Sequence, residues 1–214
     1  MIESNTYPVH LRLSRQRVLV VGGGNVAINK IAGLGWANAA ITVVAPEIRP
    51  EIRALDDVTI IERPYQRGEV ASYRLAITCT DDSETNREVF EDGEAAGVLV
   101  NSADDPENCR FILPAAARQG DLTITISTAG RSPALATWLR RRFEAEFDDR
   151  YSDLLDLLAE VRAEVKSHFG TSEVRGWTAA LDDGVPELVA SGDRAQAKQR
   201  LHSHLGLAEP EVVA

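Results

Sequence analysis

Short apolar runs alternate with stretches of helical period along the first hundred residues. Arg17-Val18-Leu19-Val20-Val21 is β-branched and continuous rather than alternating. That is the pattern of a strand covered on both faces. It runs directly into Gly22-Gly23-Gly24, and helical spacing follows over 26–37. Runs at 41–44, 58–61 and 75–80 predict the next strands, the first two stopped near Pro46 and Pro64. A helix over 83–96 leads to a fifth strand at 98–101. Strands separated by helical segments predict parallel βαβ units with right-handed crossovers. The fold class is therefore α/β, opening with a Rossmann-type parallel sheet.

After Asn101 the rhythm breaks. A polar loop at 102–108 and a short apolar piece at 111–114 precede a stretch over 121–128 that alternates with period 2. Pro133 then opens a helix with apolar positions Leu135, Trp138, Leu139 and Phe143 at helical spacing. A small strand–helix segment of this kind cannot bury itself; it must pack on the first domain or on a second chain. From about residue 148 the chain reads as helix, with Leu154, Leu155, Leu158, Val161 and Val165 forming one apolar stripe. Gly170, Gly176, Gly184, Gly192 and Gly206 punctuate the rest. The expected organisation is a Rossmann domain over 1–114, the strand–helix segment over 115–147 and a C-terminal helical domain over 148–214.

Composition narrows the function. The hydrophobic fraction of 44% and charged fraction of 26% exclude a disordered or low-complexity chain. The formal charge of -10 argues against a nucleic-acid partner, which polyphosphate repulsion disfavours. Of 23 basic residues only Lys30, Lys166 and Lys198 are lysines, a bias that suits a salty cytoplasm or a GC-rich genome. Cys79 and Cys109 form no CxxC pair and are too few for a disulfide scaffold. No apolar run approaches the roughly 20 residues of a membrane span, and the first residues contain no signal-peptide h-region. The expectation is a cytoplasmic protein without a membrane partner.

The chemistry begins at the glycine turn. Gly22-Gly23-Gly24-Asn25-Val26-Ala27 fits G-x-G-x-x-A between a predicted strand and a predicted helix, the context that the motif requires. Gly22 permits the turn, Gly24 leaves room for a pyrophosphate against backbone N–H groups, and Ala27 lets the helix lie close to the sheet. The acidic residue usual at the end of the second strand is replaced by Ala45, followed by Pro46 and Glu47. Glu47 or backbone groups can take its place, and Arg49 stands close by. NAD is favoured over NADP.

In open α/β sheets the ligand lies beyond the carboxyl ends of the strands. That directs attention to Thr80-Asp81-Asp82 and to Asn101-Ser102-Ala103-Asp104-Asp105-Pro106. Asp81 or Asp82 fits the N-cap of the following helix, and Asp105 before Pro106 fits a turn. Asn86 can face the cofactor. Asp104 is the better placed of its loop to project into the cleft, although it fits a turn equally well.

Several of these segments, with others, carry a resemblance. They are Val20 to Ala27 with Lys30, Thr80-Asp81-Asp82 with Asn86, Val100 to Asp104, and Phe111-Ile112-Leu113-Pro114. The fifth is Ser127-Thr128-Ala129-Gly130-Arg131-Ser132-Pro133 continuing to Leu139-Arg140. Together they resemble the precorrin-2 dehydrogenase/sirohydrochlorin ferrochelatase family, the N-terminal module of siroheme synthases. The resemblance implies NAD-dependent oxidation of precorrin-2 to sirohydrochlorin in siroheme biosynthesis and, in bifunctional members, Fe²⁺ insertion. It implies that Asp104 is the key carboxylate. Cofactor contacts fall on Asn25, Val26, Pro46 and Glu47, beside Gly22, Gly24 and Thr80. It also implies a homodimer formed through the 115–147 segment. Some members carry a phosphorylated serine where this chain has Thr128.

On that reading Asp104 is the base that takes a proton while the nicotinamide takes the hydride. The substrate is a polycarboxylate, so an acidic chain needs a local basic rim. Arg110, Arg118, Arg131 and the run Arg140-Arg141-Arg142 are its candidates, with Arg110, Arg131 and Arg140 favoured, since arginine can fork onto a carboxylate. Arg141 and Arg142 fit a solvated helix face. The tetrapyrrole nitrogens ligate the metal themselves, so no resident protein metal site is expected. His202 and His204, two apart on a helix, point away from each other and fit surface positions. Cys109 fits a small packed residue. The alternatives are a dehydrogenase without chelatase activity, a non-catalytic NAD-sensing module, and a dehydrogenase of another small acid. The second would lack the segment from Ser127 to Leu139.

Overall fold

A computed structural model describes residues 6–103 and 105–207. The chain divides into two compact units, residues 1–113 and 114–214.

In the first unit, β1 (Arg17–Val21), β2 (Ala40–Ala45), β3 (Val58–Glu62), β4 (Leu75–Thr78) and β5 (Leu99–Ser102) form one parallel sheet in the order β3-β2-β1-β4-β5. The central strand is buried on both faces, which is why its sequence is continuously apolar. Val18 and Val20 pack with Ala27, Ile31 and Leu34 of α1 (Asn25–Trp36). Leu19 and Val21 pack on the opposite face with Val70 and with Val89 of α3 (Ser83–Ala96). A short helix, α2 (Pro50–Arg53), follows β2. Phe111 packs against the α1 side of the core, but Ile112 and Leu113 are exposed, so the apolar piece at 111–114 is a connector and not a strand.

The second unit contains a strand that the apolar pattern does not reveal. β6 (Ala115–Gln119) pairs antiparallel with β7 (Leu122–Ile126) across the tight turn at Gly120. Small alanines give β6 no alternation signal, so 115–147 reads from sequence as one strand and a helix when it is a hairpin and a helix. That helix, α4 (Pro133–Glu146), packs on the hairpin yet buries none of its residues, and Leu135 and Trp138 stay exposed. The rest is α5 (Asp149–Phe169), α6 (Trp177–Asp182), α7 (Val185–Ala190) and α8 (Arg194–Leu205). They share one core around Leu157, Val161, Val165, Val185 and Leu201. Within α5 the buried stripe is Leu154, Leu157, Val161 and Val165. Leu155 is exposed, because a residue one position after Leu154 turns about 100° away from the core. The segments 115–147 and 148–214 thus lie in one compact unit.

Candidate functional site

The strand order reverses between β1 and β4, and crevices open at the carboxyl ends of strands at such a point. A cleft of about 720 Å³ lies there, lined by residues 22–26, 45–49 and 79–81. Gly22, Gly24, Asn25, Val26, Pro46, Glu47 and Thr80 all stand on its wall.

Each glycine of the turn has its own reason. Gly22 has φ +120°, and a Cβ there would meet the Cys79 carbonyl oxygen at 2.6 Å. Gly23 occupies a variable position of the motif but is equally constrained. A Cβ would lie 2.2 Å from the Glu47 carbonyl oxygen, because the loop after β2 runs against the turn. The Arg49 N–H donates to the Gly23 carbonyl at 3.1 Å and ties the two together. Around Gly24 a Cβ would meet nothing within 4 Å, so its missing side chain leaves open cleft.

Gly24 is also the N-cap of α1, and the first turn carries no acidic residue. The first N–H groups of a helix have no partner inside it and present positive potential. An uncovered helix start facing an open cleft fits a pyrophosphate. The residues therefore fit a dinucleotide cofactor.

The opposite wall is pinned from behind. The Thr80 hydroxyl donates to Asn86 Oδ1 at 2.8 Å, and Asn86 Nδ2 returns a bond to the Thr80 carbonyl at 3.0 Å. Asn86 is buried, so it fixes Thr80 rather than facing the cleft itself. Asp82 caps α3, accepting from the Glu84 N–H at 3.0 Å. The Thr85 hydroxyl on the same carboxylate, reinforced by backbone N–H bonds, holds it below the ordinary aspartate range.

Asp104 lies outside the described residues. Both flanks of its loop are anchored. The Ala103 N–H donates to the Thr78 carbonyl at 2.9 Å, and the buried Thr78 and Ser102 hydroxyls bond at 2.9 Å. Cys109 does more than fill space. Its half-buried thiol accepts from the Ser102 N–H and lies 3.2 Å from the carbonyls of Ser102 and Asp105. Burial pushes this thiol up. Asp105 accepts from Asn108 Nδ2 at 2.7 Å across a short 3₁₀ turn, the turn role that its place before Pro106 predicts.

The three arginines favoured for the expected basic rim each have a local partner. Arg110 does not line the cleft; the guanidinium forks onto Glu94 and stacks over Phe90. Arg140 pairs with Glu144 one helical turn on, at 2.5 Å. Arg131 closes a tight turn by donating its N–H to the Thr128 carbonyl at 3.0 Å. His202 and His204 stay partly exposed, with side-chain exposures of 28% and 30%, and each meets one carboxylate. His202 contacts Glu164 of α5 at 2.7 Å, and His204 contacts Asp183 at 3.0 Å. Among the described residues no three His, Cys, Asp or Glu side chains gather as a metal site, and no helix is long and apolar enough to cross a membrane.

The cleft, the parallel sheet and the open helix start define a Rossmann-type dinucleotide-binding protein. Residues 9–115, half of the chain, match the family described as "Putative NAD(P)-binding". Residues 119–146 match "Sirohaem biosynthesis protein central", and 150–205 match "Sirohaem synthase dimerisation region". The chain belongs to the family of N-terminal siroheme synthase modules. The siroheme synthase of Psychrobacter arcticus is 34% identical over 98% of this chain and 39% of its own length. That of Chromobacterium violaceum is 35% identical over 93% of this chain and 43% of its own. The chain thus spans about two-fifths of the length of these curated relatives. A solved precorrin-2 dehydrogenase, SirC, shares the fold, with a TM-score of 0.69 and 24% identity over 92% of this chain and 100% of that one.

Proposed function

We propose that this chain oxidises precorrin-2 to sirohydrochlorin with NAD as hydride acceptor. The observation that carries the proposal is the uncovered start of α1 at the switch-point cleft. It occurs in a chain whose three parts follow the siroheme synthase order. NAD bound there supplies the site that receives the hydride. The chain's own part is to hold the pyrophosphate on the N–H groups after Gly24, to set the ribose against Pro46 and Glu47, and to take up the released proton at Asp104. Thr80, fixed by Asn86, shapes the wall of the cleft opposite the glycine turn. Arg131 and Arg140 take the substrate carboxylates. Arg110 joins them only by exchanging Glu94 for one of those carboxylates.

Residues 1–114 act as the cofactor domain, with 115–147 and the helical 148–214 region joining two copies into a homodimer. Exposed Leu135 and Trp138 on α4 support such a partner, since large apolar side chains left in water mark association surfaces. Once sirohydrochlorin is formed, Fe²⁺ enters as a second substrate ligated by the tetrapyrrole nitrogens.

The test is direct. Purified chain, precorrin-2 and NAD should produce NADH and the absorbance of sirohydrochlorin together; absence of NADH with that substrate defeats the dehydrogenase reading. Fe²⁺ added to sirohydrochlorin, with the spontaneous rate subtracted, tests insertion. Asp104→Asn should lower kcat by about a hundredfold or more, the scale of a lost general base, with NAD affinity kept. Near-normal turnover would leave Asp104 a turn residue.

A further inference from the structure

Two residue types that choose between NAD and NADP stand together on this rim. In dinucleotide folds an acidic side chain beyond the second strand bonds the ribose 2′-hydroxyl, whereas an arginine nearby accepts a 2′-phosphate. Glu47 and Arg49 both line the cleft after β2. Arg49 is the one basic side chain on the described wall, and its backbone is tied to Gly23 of the glycine turn. Its place beside the ribose end is therefore set by the turn itself.

Arg49 is not presented bare. Its Nε and Nη2 face the two oxygens of Glu51 at 3.3 and 3.0 Å, a fork onto one carboxylate. The next arginine along, Arg53, is committed as well, to Glu62 at 2.5 Å and to the Ile48 carbonyl at 3.2 Å. Glu51 and Glu62 thus each hold one of the two guanidinium groups, while Glu47 adds a carboxylate on the cleft wall itself.

We propose that Glu51 is a specificity-determining residue, occupying the Arg49 fork so that the cleft accepts a dinucleotide with a free 2′-hydroxyl and rejects one with a 2′-phosphate. This rests on the dinucleotide reading of the cleft. An exposed ion pair is weak by itself, so rejection does not come from an unbreakable bond. A phosphate approaching Arg49 must displace a carboxylate of its own sign from the same fork, and the displaced carboxylate remains a few ångströms away. Glu51 does not line the cleft, so a ligand without the 2′-phosphate is indifferent to it.

The experiment is calorimetric titration of the full chain with NAD and with NADP, for the unaltered protein, Glu51→Gln, Arg49→Ala and the double variant. Glu51→Gln should tighten NADP binding by about tenfold and shift NAD by less than about threefold. The gain should shrink with added salt, as expected for a charge on an exposed rim, and should vanish in the double variant. Equal effects of Glu51→Gln on both nucleotides, or a gain that survives loss of Arg49, overturn the assignment while leaving the cleft's function intact. If the unaltered chain binds neither nucleotide, the dinucleotide reading falls and the assignment falls with it.

Discussion

At the scale of single residues, three adjacent glycines do three different jobs. Gly22 holds a backbone conformation that side chains rarely adopt, and Gly24 leaves space that nothing in the protein fills. Gly22→Ala should therefore lose roughly 1–3 kcal/mol of stability from strain and the clash with Cys79. Gly24→Ala should leave the melting temperature near that of the unaltered chain while weakening NAD binding. Paired thermal melts and titrations check both, and an equally large melting loss in Gly24→Ala would make it a turn glycine as well. The G-x-G-x-x-A spacing makes Gly22 and Gly24 readable from sequence. Gly23 is not, because the atom that excludes a side chain there belongs to Glu47, more than twenty residues away in the chain. Cys109 is similar: its partners Ser102 and Asp105 are neighbours in sequence, yet only the path of the loop brings their backbone groups to sulfur.

At the scale of elements, helix and strand spacing carried most of the first unit. The helix over 83–96 has the bounds that its cap and closing glycine imply: Asp82 at the start and Gly97, with positive φ, at the end. Asp82→Ala should cost about 1 kcal/mol, the usual loss for a capping aspartate. Chemical denaturation should show this as a lower midpoint with unchanged slope. Because α3 also carries Asn86, which grips Thr80, NAD affinity should fall slightly as well; an unchanged midpoint would mean the cap is not felt. The second unit was less legible. β6 opens with Ala115, Ala116 and Ala117, whose small side chains suit its packing against α4 but announce no period. In α5 the adjacent leucines 154, 155, 157 and 158 permit more than one stripe, and only the positions of α7 and α8 select the Leu154–Leu157–Val161 face.

At the scale of the molecule, charge is organised more by pairing than by sign. On the C-terminal helices Lys198 sits between Glu160 and Glu164 at 2.5 and 2.6 Å, and Arg194 and His202 flank them. Lys198 is the main group holding both carboxylates below the ordinary glutamate value of 4.5. A carboxylate lowered in the folded state contributes stability above its unfolded value, and that contribution is lost as pH falls through the folded one. The melting temperature should therefore drop as pH is lowered from about 4.5. Lys198→Met should be less stable at neutral pH yet lose less on acidification, as circular dichroism melts across that range will show; parallel acid profiles would exclude the network as a cause. The sequence alone determined the parallel α/β architecture, the glycine turn and the resemblance to siroheme synthase modules. All of these reside in local period, spacing and short motifs, which a chain expresses before it folds. Only the tertiary structure decided that Arg49 is held by Glu51, that Arg110 is turned onto Glu94, and that Asn86 works from behind Thr80. Each depends on which charged or polar groups come within hydrogen-bond reach once the backbone is placed. For an arginine on an acidic chain, many carboxylates are equally near in composition and few are near in space.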